Sequence, residues 1–309
     1  MAVRQSPFSK FILLGESGYT GTALSRHLKD HYPGASVTGF SSKNLDLLNP
    51  SQISPLKNHL TPQTCLIMLA GITLDRMKDS PEIFESNLAM ARNLAAFLRE
   101  NPPGHFVYFS SVSVYGDRET NLHINEETPA SPSTHYGRAK LEAEALFQKA
   151  GESAGFPVLI LRPCRIYGPG VLYANYGPVQ FIQSILKDEP VLLYGKGEEL
   201  RDQLYIADLV RMTCALLDKR AAGIYNCASG SSISFRHLAD CLLKIAGKKF
   251  EVTERPRSRP LIDQGFKMQK FLKTAGPFQW TPVEEGLRQT FASFSNSHPL
   301  YYSKFSKSS

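Results

Sequence analysis

The chain has 309 residues, 42% of them hydrophobic and 20% charged, a composition that excludes a disordered, collagen-like or coiled-coil protein. The formal net charge is +7, and residues 244–273 hold nine Lys or Arg against three Asp or Glu, so most of the surplus lies in one stretch. A nucleic-acid-binding protein spreads positive charge over a face, so a nucleic-acid partner is not expected; the patch suits a small polyanion or serves solubility alone.

The predicted elements alternate between strands and helices from the start of the chain. Residues 11–14 form an apolar run that ends at glycines, and a helical stretch at 22–31 and a strand at 36–40 follow. Short, wholly apolar strands are typical of a parallel sheet covered by helices on both faces. The alternation predicts a doubly wound, Rossmann-like α/β sheet. Its further members are strands over 64–69, 106–109 and 157–161 and helices over 82–100 and 136–150.

After Gly168 the sequence changes in character, because turn-forming Pro-Gly, Tyr-Gly and Gly-Pro pairs cluster over residues 169–178. The later elements predict a smaller, interleaved α/β lobe that binds substrate. They are helices over 179–188, 206–217 and 235–245 and strands over 191–194 and 224–227. The predicted organisation is a dinucleotide-binding core at 8–170 to which 203–230 returns, a lobe at 171–202 and 231–296, and a flexible tail at 297–309.

Three glycines follow the first predicted strand. Gly15, Gly18 and Gly21 have the spacing G-x-x-G-x-x-G between a strand and a helix. Glycines are needed at such a turn because the chain bends sharply and its amides must approach a pyrophosphate at the helix N-terminus. This context predicts a dinucleotide site that includes Tyr19 and Thr20.

The end of the second predicted strand bears on the choice of cofactor. An acidic side chain there would bind the free ribose 2′-hydroxyl of NAD. Here the strand runs into Ser41, Ser42 and Lys43, and the first acid is Asp46, followed by Leu47. Hydroxyls and an ammonium suit a 2′-phosphate, so NADP(H) is favoured and NAD(H) is the alternative. A solvated loop with an incidental lysine is also compatible with this segment.

A tyrosine and a lysine four residues apart begin the helix predicted over 136–150. The spacing puts Tyr136 and Lys140 on one helix face, so the ammonium can lie near the phenol. An isolated phenol has a pKa of about 10, and a nearby cation lowers this pKa toward the range useful for acid–base catalysis. Ser111 follows a strand at the carboxyl edge of the sheet, where its hydroxyl can bind a carbonyl oxygen.

With these motifs in this order, the chain resembles an extended short-chain dehydrogenase/reductase, the family of nucleotide-sugar epimerases, dehydratases and reductases. The resemblance implies that Tyr136 is the acid or base, that Lys140 tunes it and holds the nicotinamide ribose, and that Ser111 polarises the reacting hydroxyl or ketone. The stretches that carry it further are LRPCRIYGPG at 161–170, YGKGEELRDQLYIADLV at 194–210, IYNCASG at 224–230 and WTPVEEGL at 280–287.

The resemblance also implies binding partners and the residues that contact them. The substrate would be a nucleotide-diphosphate sugar, and the protein would form a homodimer through the helices that hold Asn87 and Tyr136. Arg165 and Arg201 stand where the family contacts the diphosphate, and Thr73 lies on the substrate side. The further cofactor positions are Leu69, Ala70, Gly71, Asn87, Pro163 and Cys164.

The residues after Ser111 bear on the reaction. Family 4,6-dehydratases carry an Asp-Glu pair directly after the catalytic hydroxyl, whereas this chain has Val112 and Ser113, so dehydration is not expected. Reduction of a 4-keto sugar by NADPH and 4-epimerisation with tightly bound NAD remain. The serine segment slightly favours an epimerase. The short connection between the second strand and the Leu-Asp-Leu segment resembles the reductases, agrees with the NADP(H) assignment and puts the ketoreductase first.

The sequence departs from the family near residues 255–260. The family often has Arg-Pro-Gly-Asp there, but this chain reads RPRSRP, with no acid, and Lys267 replaces a later acid. We expect Arg255, with Arg257 or Arg259, to face the substrate phosphates, and the base and sugar stay unassigned. A third hypothesis is a non-catalytic relative that binds NADP or RNA. Such relatives often lose the Tyr/Lys pair, and the intact Tyr136 and Lys140 argue against this hypothesis.

The N-terminus and the cysteines bear on compartment and metal binding. The first ten residues are polar, and the longest apolar run, 65–72, is too short to span a bilayer, so we expect a cytoplasmic protein without a membrane segment. The five cysteines form no Cys-x-x-Cys pair and are expected to be reduced thiols. His27 and His31 lack the intervening acid of a metalloprotease helix, so no metal site is predicted.

Overall fold

A computed structural model describes residues 6–74, 77–171, 177–247 and 251–305, with the side chains of 296–305 excepted. A parallel sheet of six strands lies at the centre of this described part of the chain. From one edge to the other the strands are β2 (Ser36–Phe40), β1 (Lys10–Leu14), β3 (Thr64–Met68), β4 (His105–Phe109), β6 (Val158–Pro163) and β10 (Gly223–Cys227).

Alternate residues of β1 face two different helix layers. Phe11 and Leu13 pack in the layer that holds α1 (Tyr19–His31) and α6 (Ile206–Asp218). Ile12 and Leu14 pack in the layer that holds α3 (Pro81–Glu100) and α4 (His135–Ala154). Side chains on opposite sides of a strand alternate, so a strand buried on both faces must be apolar throughout. The predicted doubly wound α/β sheet is confirmed.

The strand order reverses beside β1. The chain passes from β1 to β2 on one side, and β3 then pairs with the other side of β1. Such a reversal opens a crevice at the carboxyl ends of the strands, which is where ligands bind in open α/β sheets. The glycine loop lies at this crevice, because the Gly15 N–H donates to the Phe40 carbonyl at the end of β2, at 2.8 Å.

Three small sheets build the remainder. One joins β11 (Ser232–Ser234), β9 (Leu200–Tyr205) and β7 (Arg165–Tyr167). A second pairs β8 (Val191–Tyr194) with β12 (Val252–Arg255), and a third pairs β5 (Asn121–Ile124) with β13 (Gln264–Phe266). Since β5 precedes α4, its pairing with β13 fastens the late part of the chain to the core. The other helices are α2 (Pro50–Ile53), α5 (Gly177–Leu186), α7 (Phe235–Ala246), α8 (Gln269–Ala275) and α9 (Val283–Phe305), with single helical turns at Ser54–His59 and Val112–Tyr115.

The sequence predicted β8 but none of the other short strands of the small sheets, and it did not predict the helices α8 and α9. Strand β9 reads LRDQLY and is almost wholly buried, although it carries a cation, an anion and an amide. Apolar periodicity cannot identify such a strand, because its polar side chains are buried by pairing with distant groups. Helix α9 extends into the predicted tail 297–309 as far as Phe305, and 306–309 lie outside the described residues.

Candidate active site

The glycine loop fits a bound pyrophosphate. Gly15 has φ +93°, and a Cβ there would lie 2.7 Å from the Ala70 backbone nitrogen, so only glycine allows β1 and β3 to approach this closely. A Cβ at Gly21 would collide with the Gly15 carbonyl oxygen. The N-cap of α1 is Gly18, which has no side chain to cap the helix, and the first turn holds no acid. The positive end of the helix is therefore open to an anion.

A cleft of about 440 Å³ joins this loop to the candidate catalytic residues. It runs along the carboxyl edge of the main sheet and ends against the later lobe. The predicted residues that line it are Gly15, Gly18, Tyr19, Thr20, Gly21, Leu69, Gly71, Thr73, Ser111, Tyr136, Pro163, Cys164, Arg165 and Arg201. The cleft therefore brings together cofactor, catalytic and substrate positions that the sequence placed far apart.

The start of α4 positions Tyr136. The Thr134 hydroxyl accepts the Gly137 N–H at 3.0 Å, and the Asp79 carboxylate accepts the N–H groups of His135 and Tyr136, each at 3.0 Å. These bonds satisfy the donors that the first turn of a helix leaves free. Because Asp79 lies in the segment after β3, its bonds fasten that segment to the helix that carries Tyr136.

Lys140 is buried one turn further along α4. Its ammonium donates to the Phe109 carbonyl at 2.7 Å and lies 5.7 Å from the centre of the Tyr136 ring. Burial lowers the pKa of Lys140 to about 8. A desolvated cation at this distance stabilises a phenolate, as the spacing predicted. Across the cleft the Ser111 hydroxyl donates to the Ser113 hydroxyl at 3.0 Å.

The remaining predicted cofactor residues lie around the cleft. Asn87 is buried on α3, where its amide donates to the Ile72 carbonyl at 2.9 Å and accepts the Ile72 N–H at 2.8 Å, so it shapes the segment after β3. Ala70 contacts the glycine loop from behind. Leu47 packs in the core beneath α3, and Asp46 accepts the N–H of Leu48, so both serve their own loop.

The segment 41–43 lies beyond the carboxyl end of β2. Ser42 and Lys43 are exposed, and Ser41 is held by the Asn44 side chain, which accepts its N–H at 2.7 Å. None of the three is among the described residues that line the cleft. The structure adds an acid that the sequence missed, because the Glu16 side chain packs directly on Gly39 in β2.

A second cavity, of about 370 Å³, opens from the lobe side. Arg165 lines both this second cavity and the cleft, so the two cavities share this residue. The other described residues that line the second cavity are Gly177, Gln180, Phe181, Leu192, Leu193, Tyr194, Glu199, Phe235, Arg257, Ser258 and Arg259. Its wall is thus apolar and aromatic on one side and rich in arginine on the other.

Glu199 gathers three arginines at the wall of the second cavity. Its buried carboxylate lies 2.6 Å from Arg201, 3.0 Å from Arg257 and 3.1 Å from Arg259. Arg201 is the deepest, with 2% of its side chain exposed, and it also donates to the Ile262 carbonyl. Burial and the neighbouring charge of Arg165 lower the pKa of Arg201 to about 10.

The arginines at the end of β12 and after it do not all face the second cavity. Arg255 ends that strand with an exposed side chain, and it is absent from the described lining of both cavities. The structure therefore gives no support to the prediction that Arg255 faces the substrate phosphates. Because the chain bends toward Glu199 only after the strand ends, Arg257 and Arg259 are the arginines that reach the second cavity.

Asp202 is a buried acid of the cleft that the sequence did not single out. It accepts the Ser229 N–H at 2.8 Å, the Ser229 hydroxyl at 2.7 Å and the Gly230 N–H at 2.9 Å. The Cys164 thiol donates to it at 3.6 Å. Burial raises the pKa values of both Asp202 and Cys164. Asp202 thus holds the loop after β10 against the cleft wall.

Comparison with known proteins agrees with this geometry. Residues 11–228 match the model of the NAD dependent epimerase/dehydratase family. The chain belongs to this family. Within it, the chain is 30% identical over 258 residues to GDP-6-deoxy-D-mannose reductase of Pseudomonas aeruginosa, which covers 80% of this chain and 83% of that protein.

Several solved structures share the fold of this family member. UDP-glucose 4-epimerase of Thermotoga maritima, solved with UDP-glucose, has a TM-score of 0.83 at 19% identity and covers 94% of this chain and 99% of that one. The structure named RMD of Pseudomonas aeruginosa, complexed with NADPH, has a TM-score of 0.79 at 24% identity and covers 93% of this chain and 99% of that one. Structural neighbours of this family member hold NAD or NADPH.

Metal and membrane features are reported for the described residues of this family member. No group of three or more His, Cys, Asp or Glu side chains among them could hold a metal ion. None of the helices in the described ranges is both long and apolar enough to cross a membrane. The five cysteines are buried free thiols, as expected from their spacing.

Proposed function

We propose that the protein reduces a 4-keto group on a nucleoside-diphosphate sugar, with NADPH as the hydride donor. The observation that carries the substrate class is Arg165, which lines both the cleft and the second cavity. A ligand that spans the two cavities must pass Arg165, and an arginine at such a junction can bind a diphosphate through paired hydrogen bonds.

Charge orients the ligand. In the described wall of the second cavity, Arg165, Arg257 and Arg259 face a single acid, Glu199. The cleft instead combines Arg165 and Arg201 with Asp117 and Asp202, so its charges nearly balance. The anionic nucleotide therefore binds toward the second cavity, where Phe181, Phe235 and Tyr194 offer surfaces for a base, and the neutral sugar enters the cleft.

The catalytic residues act on the sugar oxygen. Bound NADPH supplies the hydride to the carbonyl carbon. Ser111 donates a hydrogen bond to the carbonyl oxygen, and the Tyr136 hydroxyl gives that oxygen its proton. The Lys140 ammonium stabilises the phenolate that remains until solvent reprotonates it. Dehydration lacks its acid and base, since Val112 and Ser113 follow Ser111 and the two acids of the described cleft wall are engaged by Ser133, Arg259 and Ser229.

The choice of NADPH is supported by the segment 41–43. Ser42 and Lys43 are exposed and Ser41 is half-buried beyond the carboxyl end of β2, the side on which the ribose of a dinucleotide would pass. The 30% identity to a reductase agrees with this assignment. A family 4-epimerase with tightly bound NAD is the second candidate, and Glu16 favours it, because its carboxylate beside Gly39 could accept a free 2′-hydroxyl.

A substrate panel separates the two reactions. The purified protein is incubated with UDP-, dTDP- and GDP-sugars and with their 4-keto forms, while the absorbance of NADPH and NADH is followed. We expect stoichiometric loss of NADPH with a 4-keto sugar. An isomerised sugar without net cofactor change would establish the epimerase instead. Cofactor binding without turnover on any substrate would favour the non-catalytic relative, and RNA binding that weakens steeply with salt would identify its RNA-binding form.

We also propose a homodimer that packs through α3 and α4. These two helices lie side by side on one face of the sheet and carry Asn87 and Tyr136, which is the arrangement that the family resemblance implies. Sedimentation equilibrium measures the mass directly. A charge introduced at the half-buried Ala89 of α3, as in Ala89→Glu, should shift the equilibrium toward monomer, whereas Lys219→Glu on the opposite helix layer should not.

A further inference from the structure

A buried carboxylate lies beneath the candidate catalytic residues. Tyr136, Lys140 and Glu144 follow one another at intervals of four residues on α4, so one helix face carries all three. Glu144 is 2% exposed, and its partner Arg162 on β6 is 4% exposed. The pair is bidentate, with Arg162 Nε 2.9 Å from Oε1 and Nη2 2.6 Å from Oε2.

Further bonds extend this pair to the serine segment and to β10. The Ser110 hydroxyl donates to Glu144 Oε1, and Ser110 directly precedes Ser111. Arg162 Nη1 donates to the Tyr115 hydroxyl at 2.9 Å, which in turn donates to Asn226 Oδ1 at 2.8 Å. The bonded chain thus connects α4, the end of β4, the turn after Ser111, β6 and β10. Each group in this chain of bonds is buried, so water cannot replace a hydrogen bond that is lost from it.

The surroundings of Lys140 show why a charge at Glu144 matters. On α4 the ammonium faces the Tyr136 ring at 5.7 Å and Glu144, and from β4 it faces the Tyr108 ring at 4.8 Å and the Phe109 carbonyl. From α3, the Asn87 amide oxygen approaches the same point near Gly71. From β6 comes Arg162, paired with Glu144. Glu144 is the anion of this group.

We propose that Glu144 is a positioning residue of the reaction, which holds Ser111 against α4 through Ser110 and keeps the buried Lys140 ammonium charged. The inference rests on the function proposed above. Burial alone lowers the pKa of Lys140, and Glu144 opposes that shift. Without the carboxylate the ammonium would lose its proton at lower pH. Tyr136 would then lack the cation that makes its phenol a useful acid.

The first test is Glu144→Gln, which preserves size but removes the charge and one of the two oxygens that accept from Arg162. We expect kcat to fall about tenfold at pH 7.5 and the alkaline limb of its pH profile to move down by about one unit. The Michaelis constant for the nucleotide sugar should stay within twofold, because Glu144 does not line either cavity among the described residues. An unmoved pH profile would overturn the proposal.

A matched control separates electrostatics from structural support. Tyr115→Phe breaks the Arg162–Tyr115–Asn226 branch but leaves Glu144 and its charge in place. This variant should lower the midpoint of urea unfolding without moving the pH profile. If Tyr115→Phe shifts the alkaline limb as far as Glu144→Gln does, the role of Glu144 is only structural and the proposal fails.

A direct titration keeps the test independent of substrate. Lysine labelled with carbon-13 at Cε reports each ammonium by NMR, and Lys140→Met assigns the signal of Lys140. The pKa of Lys140 should fall in Glu144→Gln, whether or not any nucleotide sugar is turned over, so failure of the proposed function leaves this result readable. If Glu144→Gln does not fold, the double variant Glu144→Gln, Arg162→Met takes its place in this titration, because it removes both buried charges. An unchanged Lys140 titration in the folded variant would overturn the proposal.

Discussion

Two buried carboxylates, Glu144 and Glu199, bind arginines in this protein, and they differ in how many arginines they bind and how exposed those arginines are. Glu144 binds one arginine through both oxygens in the interior, so each group of the pair is fixed. Glu199 is shared by three arginines whose side chains are 2%, 16% and 47% exposed, from Arg201 to Arg257 to Arg259. The interior pair supports chemistry that needs one geometry, whereas the graded cluster leaves positive charge facing a cavity.

The contrast also separates the proposed catalytic side of the site from its proposed substrate side. The catalytic side is built from α4 and β4, where spacing along one helix brings Tyr136 and Lys140 together. The substrate side is built from β7, β9 and the segment after β12, which meet only in the folded protein. Differences in substrate between family members are therefore expected on the Glu199 side.

The largest expected effect comes from removing the shared carboxylate. Glu199→Gln leaves the buried Arg201 without its anion, and breaking one half of a buried ion pair costs about 3–5 kcal/mol in the free energy of unfolding. Urea denaturation measures this loss. Glu198→Gln is the control, because Glu198 is exposed and pairs only with Arg257 in the described structure, and its unfolding should hardly change. Equal effects of the two variants would mean that Glu199 does not organise the cluster.

The next effect is on the catalytic side. Tyr136→Phe removes the proton donor and should lower kcat at least about a hundredfold, while the dissociation constant of the cofactor stays within twofold. Single-turnover kinetics and fluorescence titration with NADPH measure the two quantities. Tyr32→Phe removes a buried phenol from the α1–α6 layer and should leave kcat within twofold. Near-normal turnover in Tyr136→Phe would refute the assignment of the acid.

A smaller effect distinguishes the arginines around the second cavity. Arg257→Gln should raise the dissociation constant of the nucleoside diphosphate about tenfold, since a hydrogen bond to a charged group contributes about 1.5–3 kcal/mol. Arg255→Gln should change it less than twofold, because Arg255 lies outside the described cavity walls. Isothermal titration with UDP, dTDP and GDP measures both. The opposite order would restore the expectation drawn from the sequence.

The smallest effect concerns the cofactor. Lys43→Asp should shift the ratio of NADH to NADPH affinity about fivefold toward NADH, the scale of an exposed charge interaction. Glu16→Gln should shift the ratio the other way, because it removes the acid beside Gly39. Competition binding measures both ratios. If neither variant moves the ratio, the end of β2 does not select the cofactor.

The sequence by itself determined the features that depend on local spacing. Wholly apolar strands separated by helices specified the doubly wound sheet, because a strand buried on both faces has no polar side. The glycine spacing predicted the tight turn between β1 and α1, and the four-residue step from Tyr136 to Lys140 placed both on one face. Each is encoded within about one turn or one strand of chain, where backbone geometry alone relates the residues.

Only the tertiary structure decided which charged residues meet. Glu199 and Arg257 are far apart in the chain, as are Glu144 and Arg162, and nothing in either segment indicates its partner. Three further features were decided only by the fold. They are the burial of the polar strand β9, the position of Arg255 outside the described cavities and the packing of the Glu16 side chain on Gly39 of β2. Burying a charge is unfavourable until its partner arrives, so these residues acquire their roles only when the fold brings distant segments together.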